Sequence, residues 1–281
     1  MRLRVRGPKG ASTLTLPEEA TLADLIENIS IFTGISNFNV KYGYPPRSLN
    51  LNQKDASQKL SELDVKIDGE QLTICPNPML RIMPDDNSCL FRAFGSAVLP
   101  GDDKSMPELR SVVASVIQTE PDTYTKAVLE KSPDDYCRWI QTPNAWGGAI
   151  ELGILAKYFD IEICSIDVET LRIDKFNEGR ANRCILVYSG IHYDTIALSP
   201  VDAQHYNFQS TPELDQRVWD SRDTEILETA VELCRILQAK HYYTNTVKMR
   251  IKCKSCSKIL YGEKDAAKHA QQSGHYDMEQ L

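Results

Sequence analysis

The sequence predicts an α+β protein of three consecutive units, and three features of its 281 residues support this prediction. Residues 1–75 combine short alternating apolar runs with one amphipathic helix, and residues 80–200 alternate helical and strand patterns. Residues 248–281 hold closely spaced cysteines and histidines, a pattern typical of a small metal-dependent module. We expect residues 201–247 to form a connection and a helix that packs on the mixed α/β unit.

Residues 1–75 show the element order of a small β-rich fold. A Gly-Pro-Lys-Gly turn at residues 7–10 joins two alternating runs and predicts a hairpin. Thr21 and Asp24 have capping-box spacing ahead of apolar residues that recur on one helical face. The prolines within residues 75–78 mark a boundary, because proline cannot continue a strand ladder. Further strand patterns occur at residues 38–42, 49–51 and 71–75. This order of strands and helix predicts a ubiquitin-like β-grasp.

Helical and strand patterns alternate through the middle of the chain. Helices are predicted from Cys89 and at residues 106–119, 124–130, 149–157 and 223–238. Strands are predicted at residues 161–166, 184–188 and 193–198. We expect a small sheet surrounded by helices. Residues 201–220 are polar and interrupted by proline, so we expect little regular structure there.

Composition limits the compartment and the partners of the chain. The first residues alternate charge with apolar side chains and no long apolar run follows, so we expect no signal peptide and no membrane insertion. We expect a cytoplasmic location, with the nucleus as a second one, and eight reduced cysteines. Residues 76–247 hold 16 basic and 26 acidic residues. This surface favours a basic partner over nucleic acid, although a charged face kept for solubility explains the charge equally well.

The C-terminal residues predict a zinc finger. Cys253 and Cys256 form a short knuckle, and His269 and His275 follow in a predicted helix and at its end. Two thiolates and two imidazoles are the ligand set of a tetrahedral structural Zn²⁺ site. A lone finger covers about three base pairs, too few for a specific duplex site. We therefore favour protein contact, and the basic residues of this segment keep nucleic-acid binding as the alternative.

One cysteine has the surroundings of a nucleophile. Cys89 follows a polar turn and opens a predicted helix, where unpaired N–H groups and the helix dipole favour a thiolate. His192 precedes a predicted strand, and Asp194 would project from the same face of that strand. Asp86 is a second candidate for the acid that supports this pair. The residues alone leave both a cysteine hydrolase and a buried structural cysteine open, because sequence cannot show that distant residues meet.

Three sequence segments resemble those of the ovarian-tumour (OTU) family of deubiquitinases. Residues 86–93, Asp-Asn-Ser-Cys-Leu-Phe-Arg-Ala, are similar to the family's cysteine loop, and residues 190–194, Gly-Ile-His-Tyr-Asp, to its histidine loop. Residues 146–151, Trp-Gly-Gly-Ala-Ile-Glu, resemble the stretch between them. A β-grasp, an OTU domain and a Cys2His2 finger in this order resemble one eukaryotic subgroup, so the resemblance spans nearly the whole chain.

The resemblance implies a catalytic role for the residues of the two loops. Cys89 would attack the isopeptide carbonyl after the C-terminal glycine of ubiquitin, in polyubiquitin chains, and His192 would act as base and then as acid. Asp86 or Asp194 would support the geometry, and backbone N–H groups of the cysteine loop would form the oxyanion hole. A catalytically silent ubiquitin-binding adaptor with the same fold is the alternative.

The resemblance also implies a partner for the first unit. In this subgroup the N-terminal domain is UBX-like and docks onto the hexameric AAA ATPase that extracts ubiquitylated clients, including those of ER-associated degradation. Tyr44, Pro45, Pro46 and Arg47 would be the docking loop. They differ from the usual Phe-Pro-Arg loop by one additional proline and by tyrosine in place of phenylalanine. A cis bond before Pro45 or Pro46 is expected in so tight a turn.

Overall fold

The computed structural model describes residues 1–7, 10–35, 37–49, 51, 55–99, 106–199, 215–245, 250–275 and 277–280. The chain divides into two compact units. The first comprises Met1–Arg81 with Ala197–Gln216, and the second comprises Ile82–Ile196 with Arg217–Leu281. Among the described residues, no helix has both the length and the apolar character needed to cross a membrane.

The first unit contains the predicted β-grasp. Its elements are β1 (Arg2–Gly7), β2 (Gly10–Thr15), α1 (Leu22–Thr33), β3 (Phe38–Tyr42), β4 (Arg47–Leu49) and β5 (Gln71–Pro76). The sheet has the order β2-β1-β5-β3-β4, with β1 and β5 parallel and the other neighbours antiparallel. The predicted capping box is present, because the Asp24 carboxylate accepts from Thr21 N–H and the Thr21 hydroxyl accepts from Asp24 N–H. Leu22, Leu25 and Ile29 of α1 are fully buried in the core of this unit.

The first unit continues beyond residues 75–78, where the sequence predicts a boundary. β5 continues through Pro76, which pairs with Phe38 at the end of the ladder, and a short strand, β6 (Met79–Arg81), follows within the first unit. A proline at the last position of a strand removes a donor where the ladder ends, so it does not break the pairing.

The second unit is the predicted mixed α/β unit. Its helices before the sheet are α2 (Cys89–Val98), α3 (Met106–Thr119), α4 (Lys126–Leu129), α5 (Pro133–Ile140) and α6 (Ala149–Tyr158). Its strands are β7 (Glu162–Asp167), β8 (Ile173–Phe176), β9 (Asn182–Tyr188), β10 (Tyr193–Ala197) and β11 (Val218–Asp220), and α7 (Thr224–Ala239) follows. The strand order is β10-β9-β7-β8, with β11 paired to β9. The helix α2 packs against β9, α6 against β7 and β8, and α7 against β7 and β9.

Two expectations for this unit are corrected, and two of its elements were not predicted. The helix predicted at residues 124–130 spans only Lys126–Leu129, and α5 and β8 were not predicted. The expectation of little regular structure at residues 201–220 is wrong at β11, where Trp219 pairs with Arg183 and is 3% exposed. Burial of this large ring outweighs the polar composition around it. Residues 201–214 and 246–247 of the predicted connection lie outside the described residues.

The C-terminal residues form a small ββα module with one additional strand. It consists of β12 (Arg250–Cys253), β13 (Ile259–Tyr261), α8 (Gly262–Ser273) and β14 (Met278–Gln280), with the strand order β13-β12-β14. The helix α8 packs against β12 and β13, where Ile251 and Leu260 are 5% exposed. Gly274 ends α8 in the left-handed conformation, as its place before His275 predicted. So small a core needs a further source of stability.

Candidate active site and metal centre

The cysteine loop places Cys89 at the first residue of α2, half-buried. One carboxylate oxygen of Asp86 accepts from the Ser88 N–H at 2.9 Å, and the other accepts from Arg92 Nε at 2.8 Å. One oxygen of Asp86 therefore stabilises the cysteine loop, and the other binds a side chain of α2. The backbone N–H of Cys89 donates to the Asp86 carbonyl at 3.2 Å, which closes the turn.

A buried arginine supports the cysteine loop. The Arg110 side chain comes from α3 and is 1% exposed. Its Nη2 donates to the Asn87 carbonyl at 3.0 Å and to the Ser88 hydroxyl at 3.1 Å. Sequence reasoning missed this residue, although a signal exists. Arg110 has helical spacing to the buried positions Val113 and Ile117, and a charge on a buried face needs partners.

The histidine loop connects β9 to β10. His192 lies directly before β10, and its carbonyl accepts from the Ser189 N–H at 3.0 Å. Gly190 has a φ of +97°, a backbone conformation that side chains with a Cβ rarely adopt. A Cβ at Gly190 would also lie 2.0 Å from the carbonyl oxygen of Thr244. Two independent constraints therefore require glycine at the turn that presents His192.

Asp194 is the carboxylate that contacts His192. Its Oδ1 lies 3.1 Å from His192 Nε2 and accepts from the Met83 N–H at 2.8 Å. Its Oδ2 accepts from the Tyr242 hydroxyl at 2.8 Å, and the Asp194 side chain is 0% exposed. The sequence left Asp86 and Asp194 open, and the observed contacts place Asp194 on the imidazole.

Cys89 and His192 are brought together across the two loops. Hydrogen bonds to Asp194 and then to Cys89 raise the pKa of His192 from 6.5 to about 10 against the opposing effect of burial. Because Nε2 faces Asp194, Nδ1 is the ring nitrogen available to the thiol. The imidazole is therefore protonated at neutral pH and provides a positive charge beside Cys89.

A cavity of about 290 Å³ opens beside Cys89 between the two loops. Trp146, Gly147 and Gly148 form part of its wall. The Trp146 indole N–H donates to the Asn87 side-chain oxygen. A Cβ at Gly147 would lie 3.2 Å from atoms of Leu90 and Phe91, so a glycine allows the wall to approach α2 closely.

The remaining cysteines of the second unit's core are unsuited to nucleophilic attack. Burial raises the pKa of Cys164 and of Cys234 to about 12 and raises the pKa of Cys184 further. Cys137 is buried on α5, and burial raises its pKa as well. Cys164 and Cys184 lie in β7 and β9, and Cys234 lies on the buried face of α7.

The C-terminal module brings its four predicted metal ligands together. The ligand atoms of Cys253, Cys256, His269 and His275 all lie within 4.8 Å of one another. Cys256 Sγ is 3.4 Å from His269 Nε2. The Nδ1 atom of His275 is buried without a hydrogen-bond partner, a costly arrangement unless the nitrogen binds a metal. The donor set and its convergence fit a tetrahedral Zn²⁺ ion.

The predicted docking loop forms the turn between β3 and β4. Tyr44 is 98% exposed, and the Tyr44–Pro45 bond is cis, as expected for one of the two prolines. Arg47 follows as the first residue of β4 and is exposed. The loop therefore presents an aromatic ring and a guanidinium group to solvent.

Two contacts of Asp194 carried no local sequence signal. Tyr242 lies 48 residues from Asp194 in the sequence, beyond the end of α7. The Met83 contact spans 111 residues and uses a backbone N–H, which any residue except proline supplies. Such contacts follow from the path of the chain in three dimensions, which residue types alone do not specify.

Three family models match consecutive parts of the chain. Residues 1–49 match the OTU1 UBXL domain, residues 84–194 the OTU-like cysteine protease, and residues 248–281 the C-terminal C2H2-type zinc finger of ubiquitin thioesterase OTU1. The three matches occur in the order that the sequence resemblance indicated.

Whole-chain relatives and a solved structure agree with these matches. The chain is 33% identical to ubiquitin thioesterase OTU1 of Gallus gallus over 98% of both proteins, and 32% identical to that of Saccharomyces cerevisiae over 100% of this chain and 99% of the relative. A solved ovarian tumor (OTU) domain in complex with ubiquitin is 29% identical, with a TM-score of 0.51 over 59% of this chain and 90% of that chain. The chain therefore belongs to the ubiquitin thioesterase OTU1 family, a family of deubiquitinating hydrolases with an OTU-like cysteine-protease domain.

Proposed function

We propose that this protein cleaves ubiquitin from polyubiquitin chains, with Cys89 as nucleophile, His192 as general base and acid, and Asp194 as the residue that orients His192. The single observation that supports this most is the continuous contact from Cys89 through His192 to the buried carboxylate of Asp194. A thiol, a base and an orienting acid in this order form the arrangement required for nucleophilic catalysis.

The reaction proceeds in two halves. In the resting pair the proton of the Cys89 thiol resides on His192, and the thiolate attacks the carbonyl carbon of the C-terminal glycine of ubiquitin. The tetrahedral intermediate collapses to a thioester, and His192 donates its proton to the departing lysine amine. Water then attacks the thioester with His192 as base, which releases the ubiquitin carboxylate and restores the thiol.

The cavity beside Cys89 supports a ubiquitin C terminus as the substrate. It lies between the cysteine and histidine loops, and glycines form part of its wall. The C-terminal glycine of ubiquitin carries no side chain that would obstruct the approach of its carbonyl to Cys89, which lines this cavity. The acidic composition of residues 76–247 favours the basic recognition face of ubiquitin.

Cleavage of polyubiquitin chains by purified variants tests this function. Cys89→Ala should abolish cleavage, whereas Cys75→Ala, which changes a half-buried cysteine of the β-grasp, should cleave at the parent rate. Circular dichroism would verify that both variants fold. Cleavage by Cys89→Ala near the parent rate would reject Cys89 as the nucleophile. A parent protein that binds chains without cleaving them would support the adaptor alternative.

We further propose that the β-grasp unit docks this enzyme onto a hexameric AAA ATPase that extracts ubiquitylated clients, in the cytoplasm and in ER-associated degradation. The exposed Tyr44 and Arg47 support this, together with the match of residues 1–49 to the UBXL domain. Arg47→Glu should abolish co-purification of the ATPase. Arg4→Glu, at an exposed position of β1, should retain it and controls for the change of charge. Equal recovery of the ATPase by both variants would reject the loop as the docking site.

We also propose that the C-terminal module holds a structural Zn²⁺ ion through Cys253, Cys256, His269 and His275. The ion would join the β12–β13 turn to the end of α8 and so provide the stability that a small core lacks. No ligand position in this set is left for water, because four protein ligands complete a tetrahedron, and this supports a structural role.

A further inference from the structure

The segment after α7 lies against the histidine loop. We call residues 241–245 the strap. The Thr244 N–H donates to the Ser189 carbonyl at 2.7 Å, and the Asn245 side-chain amide donates to the Glu169 carboxylate. The Thr244 carbonyl oxygen occupies the place that a Cβ at Gly190 would need. The strap is therefore held in direct backbone contact with the loop that presents His192.

The strap also reaches the carboxylate behind the imidazole. The Tyr242 hydroxyl donates to Asp194 Oδ2 at 2.8 Å, while the other oxygen, Oδ1, faces His192 and accepts from the Met83 N–H. Asp194 is fully buried, so solvent cannot replace a missing donor. With a donor on each oxygen, the plane of the carboxylate is fixed, and with it the direction in which His192 points.

We propose that Tyr242 is a positioning residue for the cysteine-protease reaction and that its hydroxyl holds Asp194 in the orientation that aligns His192 with Cys89. The strap lies beyond residues 84–194, the part that matches the OTU-like cysteine protease, so the working active site extends past that domain. This inference rests on the proposed function. The Tyr242 hydroxyl contacts Asp194, and its effect on the reaction passes through that carboxylate.

The hydroxyl of Tyr242 remains a donor under working conditions. Burial and the neighbouring Asp194 raise the pKa of Tyr242, so it stays protonated and can donate at neutral and mildly alkaline pH. Hydrogen bonds therefore run without interruption from Tyr242 to Asp194, from Asp194 to His192, and from His192 to Cys89.

The test is Tyr242→Phe in the full-length chain. We expect kcat for ubiquitin-chain cleavage to fall about tenfold while KM stays within about twofold, because an alignment contact acts on the transition state rather than on substrate binding. The downfield proton resonance of the His192 ring N–H that faces Asp194 should shift or disappear. This resonance reports the alignment itself, which a loss of stability alone would not move.

Tyr136→Phe is the matched control. Tyr136 donates to the buried carboxylate of Glu151 at 2.7 Å, so its loss removes the same kind of hydrogen bond away from the imidazole. This variant should melt at a lower temperature and keep the His192 resonance in place. Tyr242→3-fluorotyrosine retains the hydroxyl and so should retain the fold and a kcat near that of the parent, with a resonance moved by the more acidic donor.

The outcomes separate the two proposals. An unmoved resonance in both Tyr242 variants would overturn the positioning role, and so would a parental kcat in Tyr242→Phe. A reduced kcat with an unmoved resonance would show a structural role only and would also overturn it. A parent protein that cleaves no ubiquitin chain would instead overturn the proposed function, while the resonance would still test the hydrogen-bonded chain from Tyr242 to His192.

Discussion

At the scale of single residues, the geometry of the active site depends on which of two carboxylates contacts the imidazole of His192. Asp86 and Asp194 both lie close to a catalytic loop in sequence, and residue type does not distinguish them. The oxygens of Asp86 are used by the Ser88 N–H and by Arg92. Asp194 is buried, and one of its oxygens faces His192. The difference depends on hydrogen-bond partners that come from elsewhere in the chain.

Replacing each aspartate separately tests this assignment. Asp194→Asn removes the largest cause of the raised pKa of His192, so that pKa should fall from about 10 toward 6.5. Since the imidazolium supplies the proton for the leaving amine, the alkaline limb of the kcat/KM profile should move to lower pH by more than about one unit. Asp86→Asn is the control and should leave the limb in place. A limb that moves with Asp86→Asn and not with Asp194→Asn would reverse the assignment.

The same pKa has a consequence for stability. The folded-state pKa of His192, about 10, lies above its ordinary value of 6.5, so its protonation stabilises the fold fully below about pH 6.5. This contribution is lost as the pH rises through 10. The difference in unfolding free energy between the parent and Asp194→Asn should therefore shrink from pH 6.5 to pH 10 in denaturant titrations. A difference that grows over this range would contradict the direction of the shift.

At the scale of elements, sequence patterns located most helices and strands but missed several short ones. The regular strands β7, β9 and β10 and the helix α7 were predicted because their apolar residues recur with a clear period. The missed α5 and β8 are short, and α5 combines few apolar residues with charged ones. The three-residue strand β11 is held by pairing with β9 and by burial of Trp219, and both are tertiary effects.

The contact between the strap and the histidine loop predicts an unusual sensitivity at Gly190. Gly190→Ala should lower the free energy of unfolding by several kcal/mol, because it adds a backbone clash to the cost of about 1–3 kcal/mol for a strained φ. Gly179→Ala is the matched control, since Gly179 has a φ of +88° but nothing within 4 Å of its added Cβ. Denaturant titration measures both. Equal losses would show that the clash with Thr244 contributes nothing.

The zinc finger makes a prediction about metal content. Elemental analysis of the purified protein should find about one zinc ion per chain, because four ligands converge on one point. Cys256→Ser should lose the metal, and a chelator should unfold α8 and its strands while the β-grasp keeps its structure. Cys75→Ser is the control and should keep the zinc. A protein without zinc whose C-terminal module stays folded would reject the metal site.

At the scale of the whole molecule, the chain holds a β-grasp in its first compact unit, and a mixed α/β domain and a zinc-finger module in its second. The order of β-grasp, mixed α/β unit and finger could be predicted from the sequence because each unit has its own local pattern. The alignment of Cys89 with His192 and Asp194 could not, since it depends on contact between two loops about a hundred residues apart in the sequence. Because Tyr242 of the strap contacts Asp194, this alignment also depends on the residues that follow α7.

The central claim is that Cys89 is the nucleophile of a ubiquitin-cleaving reaction, and a ubiquitin bearing an electrophile at its C terminus tests it most directly. Mass spectrometry of the labelled protein should place a single adduct on Cys89, and labelling should be absent in Cys89→Ala. A second cysteine protease of known reactivity serves as the probe control. An adduct on another cysteine, or no adduct while the control is labelled, would contradict the account.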